Sequence, residues 1–312
     1  MTIDIVSVFP DYFDVVNLSL MGKARENGLL TVNAHDLRDW THDVHHSVDD
    51  TPVGGGAGMV MRPEVWASCL DDLLGLEQDD HARAVAPAEM ETAGPETAQV
   101  ELPGTEPAAT TVTTPVVILP NPSAPLFTQR EATELSHAEH LVFGCGRYEG
   151  YDARIPEYYR ARGVDVREYS IGDYVLNGGE VAVAVMMEAI VRLLPGFMGN
   201  PDSIVEESYT GREALLEHRQ YTKPALWRGL EVPSVLLSGD HGRVDRYRRD
   251  EALARTSRIR PDLIERLSCG DLDKKDKATL RDLGWDVSSE HPRHGGQSRE
   301  TRAQRSNDDV IS

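Results

Sequence analysis

Three glycine-rich segments carry most of the chemistry legible in this chain. They are Val53-Gly-Gly-Gly-Ala-Gly-Met59, Cys145-Gly-Arg-Tyr-Glu-Gly150 and Ile171-Gly-Asp-Tyr-Val-Leu-Asn-Gly-Gly-Glu180. Glycine tolerates positive φ and lets backbone come close to a flat ligand. Two of the segments follow expected strand ends, where open α/β sheets bind their ligands. None is a phosphate loop of the GxxxxGK[ST] kind. None is a GxGxxG placed after the first strand, which here ends in Phe9-Pro10. One such segment alone is as readily a tight turn, but three in one domain argue for a binding site built from backbone.

Two other constellations compete for a chemical reading. His42, His45 and His46 stand with Asp43, Asp49 and Asp50, but the HxxHH spacing matches no zinc signature, and a polar surface loop is the better expectation. Cys69, Cys145 and Cys269 are far apart and odd in number, which argues against a disulfide framework or thiolate metal site and for a reducing, cytoplasmic setting. No apolar run reaches membrane-spanning length, and no membrane partner is expected.

The elements that must position these segments follow from apolar patterning. Ile3–Phe9 reads as a buried strand, followed by a helix from Asp11 to about Arg25 that Gly28 closes. Leu29–Ala34 is extended. Met61–Leu74 is helical, with Val65, Trp66, Cys69, Leu70, Leu73 and Leu74 on one stripe. Strands are expected at 115–120, 140–143 and 164–170, and helices at 129–136 and 151–160. Gly179–Leu194 is apolar nearly all round, which suits a helix buried in a core or against a partner. Strands alternating with helices indicate an α/β domain with a largely parallel sheet. Beyond it, 215–285 reads as helical except for an extended Pro233–Leu237.

Charge is distributed unevenly. The 312 residues carry a formal net charge of -20, which by itself argues against nucleic acid. Between Gly75 and Thr114, however, eight acids face the single Arg83 in an Ala-, Thr-, Pro- and Glu-rich stretch without apolar period, so -7 resides in an expected disordered insertion. Between His241 and Arg260 the sign reverses: seven arginines face Asp245, Asp250 and Glu251, a net +4. On a helix, Arg248, Arg255 and Arg258 share a face suited to RNA phosphates, which Lys223, Trp227 and Arg228 extend.

Segments Gly54–Met61, Gly144–Gly150, Ser170–Glu180, Pro195–Gly199, Gln220–Pro224 and Pro233–His241 resemble, in order and spacing, the bacterial tRNA (guanine-N1)-methyltransferase family. CGRYEG followed by SIGDYVLNGGE is the specific part. The resemblance covers about Thr2–Leu74 and Pro115–Trp285. It implies an α/β fold: a SPOUT-type, trefoil-knotted parallel-sheet domain (1–198, with 75–114 inserted), a flexible linker (199–212), a small, mainly helical tRNA-binding domain (213–285) and a disordered tail (286–312).

It further implies transfer of the S-adenosylmethionine methyl group to N1 of guanosine 37 in tRNA by a homodimer whose active site lies at the subunit interface. Its cofactor pocket carries over to Leu119, Pro120, Asn121 and Pro122, to Gly144, Gly146, Arg147, Tyr148, Glu149 and Gly150, and to Ile171, Gly172, Tyr174, Leu176, Gly178 and Gly179. Its general base maps to Glu207, where the family has aspartate, with Glu206 adjacent as an alternative. Its guanine-holding residue maps to Arg192. Gly58, Lys223, Arg243, Arg248, Arg255 and Arg258 are expected on RNA. A magnesium ion is left open as an assistant, and no protein-ligated metal and no DNA are expected. The chain departs from the pattern at Thr51-Pro-Val, where Arg-Pro-Tyr is expected, and at Ala182 in place of proline. Alternatives are a knotted methyltransferase for ribosomal RNA or a ribose 2′-hydroxyl, and a non-catalytic RNA-binding protein.

Overall fold

The computed structural model describes residues 1–76, 115–200 and 207–294. The chain divides into two units, Met1–Gly199 and Asn200–Ser312. Most of the expected 75–114 insertion and the tail beyond His294 lie outside the described residues, as does Glu206.

In the first unit, strands β1 (Thr2–Ser7), β2 (Thr31–Asp36), β5 (Val116–Pro120), β6 (His140–Gly144) and β7 (Asp165–Tyr169) form one sheet in the order β2-β1-β6-β5-β7, with every pairing parallel. A short antiparallel pair, β3 (Asp49–Asp50) and β4 (Val60–Met61), stands apart. A parallel sheet is covered on both faces, so its strands read as apolar runs whose alternate residues serve two cores. Ile3, Ile5, Ile118, Leu141 and Phe143 join one core; Val6, Val117, Leu119 and Val142 join the other. Helices α1 (Ser19–Glu26), α3 (Gln129–Leu135) and α5 (Glu180–Val191) cover the first face; α2 (Pro63–Leu74) and α4 (Arg154–Ala161) cover the second. Local signals set the ends of these helices. Pro63 opens α2 and Gly75, left-handed, closes it. Thr128 and Glu131 form a capping box on α3.

The helix expected from Asp11 to Arg25 is two pieces: a 3-10 helix over Pro10–Asn17, then α1, separated by extended Leu18. A continuous helix would put Leu20 on the stripe of Phe13 and Val16. Instead Leu20 is exposed and Met21 is buried, so the break shifts the stripe by one residue. Gly22 then packs directly against the carbonyl of Asn17, with no room for a side chain.

The second unit is less helical than its composition suggests. β8 (Leu226–Trp227) and β9 (Leu230–Glu231) form a two-residue hairpin whose central Arg228 and Gly229 both have positive φ. That is the type I′ geometry, which usually advertises itself as Asn-Gly and is disguised here by Arg-Gly. Pro233–Leu237, expected to be extended, is instead a 3-10 turn over Ser234–Leu237, because Leu236 and Ser238 donate back to the carbonyls of Pro233 and Val235. Helices α6 (His241–Ile259), α7 (Pro261–Ile264) and α8 (Lys274–Asp282) surround a core that includes Leu253, Ile264, Leu280 and Trp285. The ordered chain runs past the expected boundary at Asp286. β10 (Trp285–Asp286) pairs with β11 (Arg293–His294), held by buried Val287 and by Trp285 against His294. Two isolated apolar residues give no period, so the sequence shows no element there.

Candidate active site

Because β6, β5 and β7 are adjacent and parallel, their carboxyl ends bring the segments after Pro120, Gly144 and Tyr169 to one edge of the sheet. These segments enclose a cleft of about 290 Å³. Of the expected cofactor residues, Pro120, Asn121, Pro122, Gly146, Tyr148, Glu149, Gly150, Ile171, Tyr174, Leu176, Gly178 and Gly179 line it.

The walls touch backbone to backbone. The Gly179 N–H donates to the Gly146 carbonyl at 2.8 Å, and Arg147 pairs with Gly178 as an antiparallel bridge. A side chain on Gly179 would stand 3.0 Å from Cys145 Cα and 3.1 Å from the Gly146 nitrogen, so any larger residue must push the two segments apart by a few tenths of an ångström. The loop of Gly58 braces the 144–150 segment from the other side. Glu149 N–H donates to the Met59 carbonyl at 3.0 Å, Met61 N–H donates to Gly150 at 2.9 Å, and the Glu149 side chain lies where a Gly58 side chain would be.

Four expected residues stand behind the cleft rather than in its lining. Leu119 is core, and Gly144 is the close approach that lets Leu119 and Trp66 pack. Gly172 lies under the ring of Tyr174. Arg147 turns away: its guanidinium ion-pairs with Glu180 at 3.0 Å and stacks over Phe9 at 4.6 Å. Burial opposes that charge, but the Glu180 carboxylate more than compensates and raises the Arg147 pKa. Glu180, at the first turn of α5, also accepts from Ser7 Oγ at 2.7 Å, a favourable place for a carboxylate at a helix N-terminus.

The sequence reading missed Ser123, Tyr151, Tyr169, Ser170, Val175 and Ala182, which also line the cleft. Tyr151 had been assigned to a helix that begins only at Arg154. Its ring packs edge-on against Trp66, and burial pushes its phenol pKa up. Ala182 marks a departure from the family pattern, the one clue that its position faces something.

Among the described residues that line the cleft, Glu149 is the only charged one. One carboxylate and many carbonyls in a largely apolar enclosure suit a flat ring with positive charge beside it. This fits S-adenosylmethionine, with its adenine and its sulfonium.

The remaining expected residues are dispersed. Arg192 is the C-cap of α5, thirteen residues along from the cleft wall at Gly179, or about 20 Å at 1.5 Å per residue. Glu207 belongs to the second unit. It lines a cleft there with Thr210, Arg212, Leu216, His218 and Arg248, and its carbonyl accepts from Thr210. On α6 the arginines sort themselves. Arg246, Arg249 and Arg260 are held by Asp250, Asp276, Glu213 and Asp262. Arg243, Arg248, Arg255 and Arg258, the four expected on RNA, form no ion pair among the described residues, although Arg255 donates to the Glu217 carbonyl at 3.0 Å. In the His42–His46 loop, Asp43 accepts from the backbone of His45 and Ser47. Among the described residues no three His, Cys, Asp or Glu side chains converge on a metal position, and no helix is long and apolar enough to cross a membrane.

Sheet order and cleft together define a class: an α/β protein that grips its ligand with backbone at the carboxyl edge of a parallel sheet. The sequence profile of tRNA (Guanine-1)-methyltransferase TrmD matches residues 1–92 and 96–266. The chain belongs to this family, and its sheet is that of the SPOUT-type knotted fold. It is 72% identical over 293 residues to the tRNA (guanine-N(1)-)-methyltransferase of Bifidobacterium longum (strain DJO10A), covering 94% of this chain and 99% of that one. The proteins of the same name from Arthrobacter sp. (strain FB24) and Kineococcus radiotolerans are each 48% identical, over 94% and 95% of this chain and 95% and 96% of their own lengths.

Proposed function

We propose that the chain methylates N1 of guanosine 37 in tRNA, 3′ to the anticodon, with S-adenosylmethionine as donor. The observation that carries this reading is the backbone-walled cleft at Pro120–Pro122, Gly146–Gly150 and Ile171–Gly179, within a family of tRNA (guanine-1)-methyltransferases. The cofactor supplies a methyl group already activated on sulfur. The protein's tasks are to hold that group in line, to exclude water and to prepare the nucleophile. Tyr148, Ile171, Tyr174 and Leu176 supply the apolar walls, and Glu149 complements the positive charge.

N1 of guanine carries a proton, so methyl transfer yields a neutral product only if a base removes it. Glu207 is the proposed base: its carboxylate takes the N1 proton as the N1–C bond forms and the C–S bond breaks. Arg192 is proposed to hold and polarise the guanine. The length of α5 separates Arg192 from the cleft of its own subunit, which favours a site completed by the partner's Arg192. An apolar surface is available for such a homodimer: Phe9, Tyr12, Val15, Leu18, Val181 and Val185 are all at least 48% exposed on the 3-10 helix and α5.

The magnesium ion left open as an assistant would keep most of its water shell, and among the described residues no three His, Cys, Asp or Glu side chains converge on a position for it. A cytoplasmic location, where tRNA is processed, belongs to the same reading. Incubation with labelled cofactor and unmodified tRNA tests it. Label should enter a transcript with guanosine at the target and not one with adenosine there; equal labelling of both, or of neither, overturns the proposal.

A further inference from the structure

A further cleft, of about 540 Å³, lies wholly within the C-terminal unit between the His218–Ala225 segment and the first half of α6, and shares His218 and Arg248 with the Glu207 cleft. Its charged lining is of one sign: Arg219, Lys223 and Arg248 contribute to it, and no carboxylate does. Arg219 is satisfied by Glu251. Lys223 and Arg248 form no ion pair among the described residues.

Two nitrogens at this cleft, His218 Nε2 and Arg248 Nε, are buried with no hydrogen-bond partner among the described residues, and His218 is only 9% exposed. A buried polar group left unmatched costs about 1–3 kcal/mol. Such groups call for a specific explanation. The floor is apolar, built from Val232, Leu236, Leu237 and Val244, with the aromatic Tyr221 on the wall. Unmatched nitrogens, unpaired cations, an apolar floor and an aromatic ring are together the requirements of a phosphate joined to a base.

We propose that this cleft receives one unpaired nucleotide of the bound RNA. Arg248, His218 and Lys223 would hold the phosphate, and Tyr221 and the leucines would receive the base. The proposal rests on the reading that the chain acts on tRNA, and adds a nucleotide other than the methylated one, gripped by the C-terminal unit alone.

The full chain and its Tyr221→Ala, Tyr221→Phe and Arg248→Gln variants should be titrated with an unmodified tRNA transcript across a range of salt. Tyr221→Ala should weaken binding about tenfold and Tyr221→Phe should restore it, the size of one lost base stack. Arg248→Gln should weaken binding and lower the slope of log K against log salt by about one, for one lost phosphate contact. Thermal unfolding of each variant, followed by circular dichroism, reports whether the C-terminal unit is folded. If the wild type methylates the transcript while Tyr221→Ala binds it with unchanged affinity, the nucleotide cleft is overturned and the methyltransferase reading stands. If the wild type neither binds nor methylates the transcript, both are overturned.

Discussion

Arg147 and Glu180 form a 3.0 Å ion pair directly behind Gly178, with Glu180 only 2% exposed. The pair joins the 144–150 segment to the start of α5, and Ser7 ties both to the end of β1. It therefore holds two walls of the cleft in register without lining it. Removing one partner of a buried pair strands the other charge, at a cost of about 3–5 kcal/mol. Arg147→Met should lower the melting temperature more than Arg147→Met combined with Glu180→Leu. Thermal unfolding of the single and double variants checks this, and equal losses would show that the charges act independently.

Gly179→Ala presses a methyl group against the backbone of Cys145 and Gly146. Overpacking of this kind costs about 1–3 kcal/mol, and here it also spreads the cleft. Affinity for S-adenosylmethionine should fall at least about tenfold by calorimetry. A variant with wild-type affinity would mean that the two segments separate freely.

Glu207→Gln should bind S-adenosylmethionine as the wild type does yet lose turnover by about 10²–10⁴-fold, the usual worth of a general base. Glu207→Asp should retain most of the rate, since it restores the residue type the family uses. Single-turnover methylation of tRNA separates these outcomes. Full activity in Glu207→Gln would move the base elsewhere, with Glu206 the first position to examine.

The α6 arginines should divide into two phenotypes. Arg249→Gln breaks contacts to Glu213 and Asp276 and should lower thermal stability. Arg258→Gln breaks no ion pair and should leave stability unchanged, while reducing the salt dependence of tRNA binding by about one. Paired melting and binding measurements on both variants test the division.

Asp4 gives the fold a defined acid limit. Burial alone would raise its pKa, but hydrogen bonds from His35, Asn33 and His140 outweigh it and hold the carboxyl at about 2. A group whose pKa is depressed on folding contributes stability that is complete above its unfolded value and lost as pH falls toward the folded one. The window is therefore from about pH 4 down to about 2. The shift corresponds to roughly 2 kcal/mol. Stability measured across that window should decline less steeply in Asp4→Asn than in the wild type.

Much of the first unit was legible because parallel strands demand apolar runs, and Val116–Leu119 and Leu141–Phe143 supply them unbroken while Ile3–Val6 is interrupted only by Asp4. The glycine segments were legible for a related reason: backbone contact favours glycine wherever it occurs, as at Gly179. What escaped was set by distant partners. Arg147 looked like a ligand contact because nothing nearby in sequence reveals that Glu180 and Phe9 claim it. Tyr169 faces the cleft from the end of β7, where alternation shows that a side is shared but not what occupies it, and Tyr151 stands ahead of α4 outside any periodic element. In the C-terminal unit, the sparse apolar residues around Trp227 and Trp285 gave no period, and Arg228-Gly229 concealed a turn that Asn-Gly would have announced. The sorting of paired from unpaired arginines on α6 likewise depends on Glu213 and Asp276, which lie far away along the chain.

The cleft walls come from Pro120, Gly150 and Gly179, in order along the chain, and the last wall is the final segment before α5. A ribosome that has made only the first 160 residues has therefore made most of the sheet and two of the three walls, but not the one that closes the cleft. Capture of the methyl donor becomes a signal that the domain is complete. Truncated products should neither sequester the donor nor gain protection from it against proteolysis.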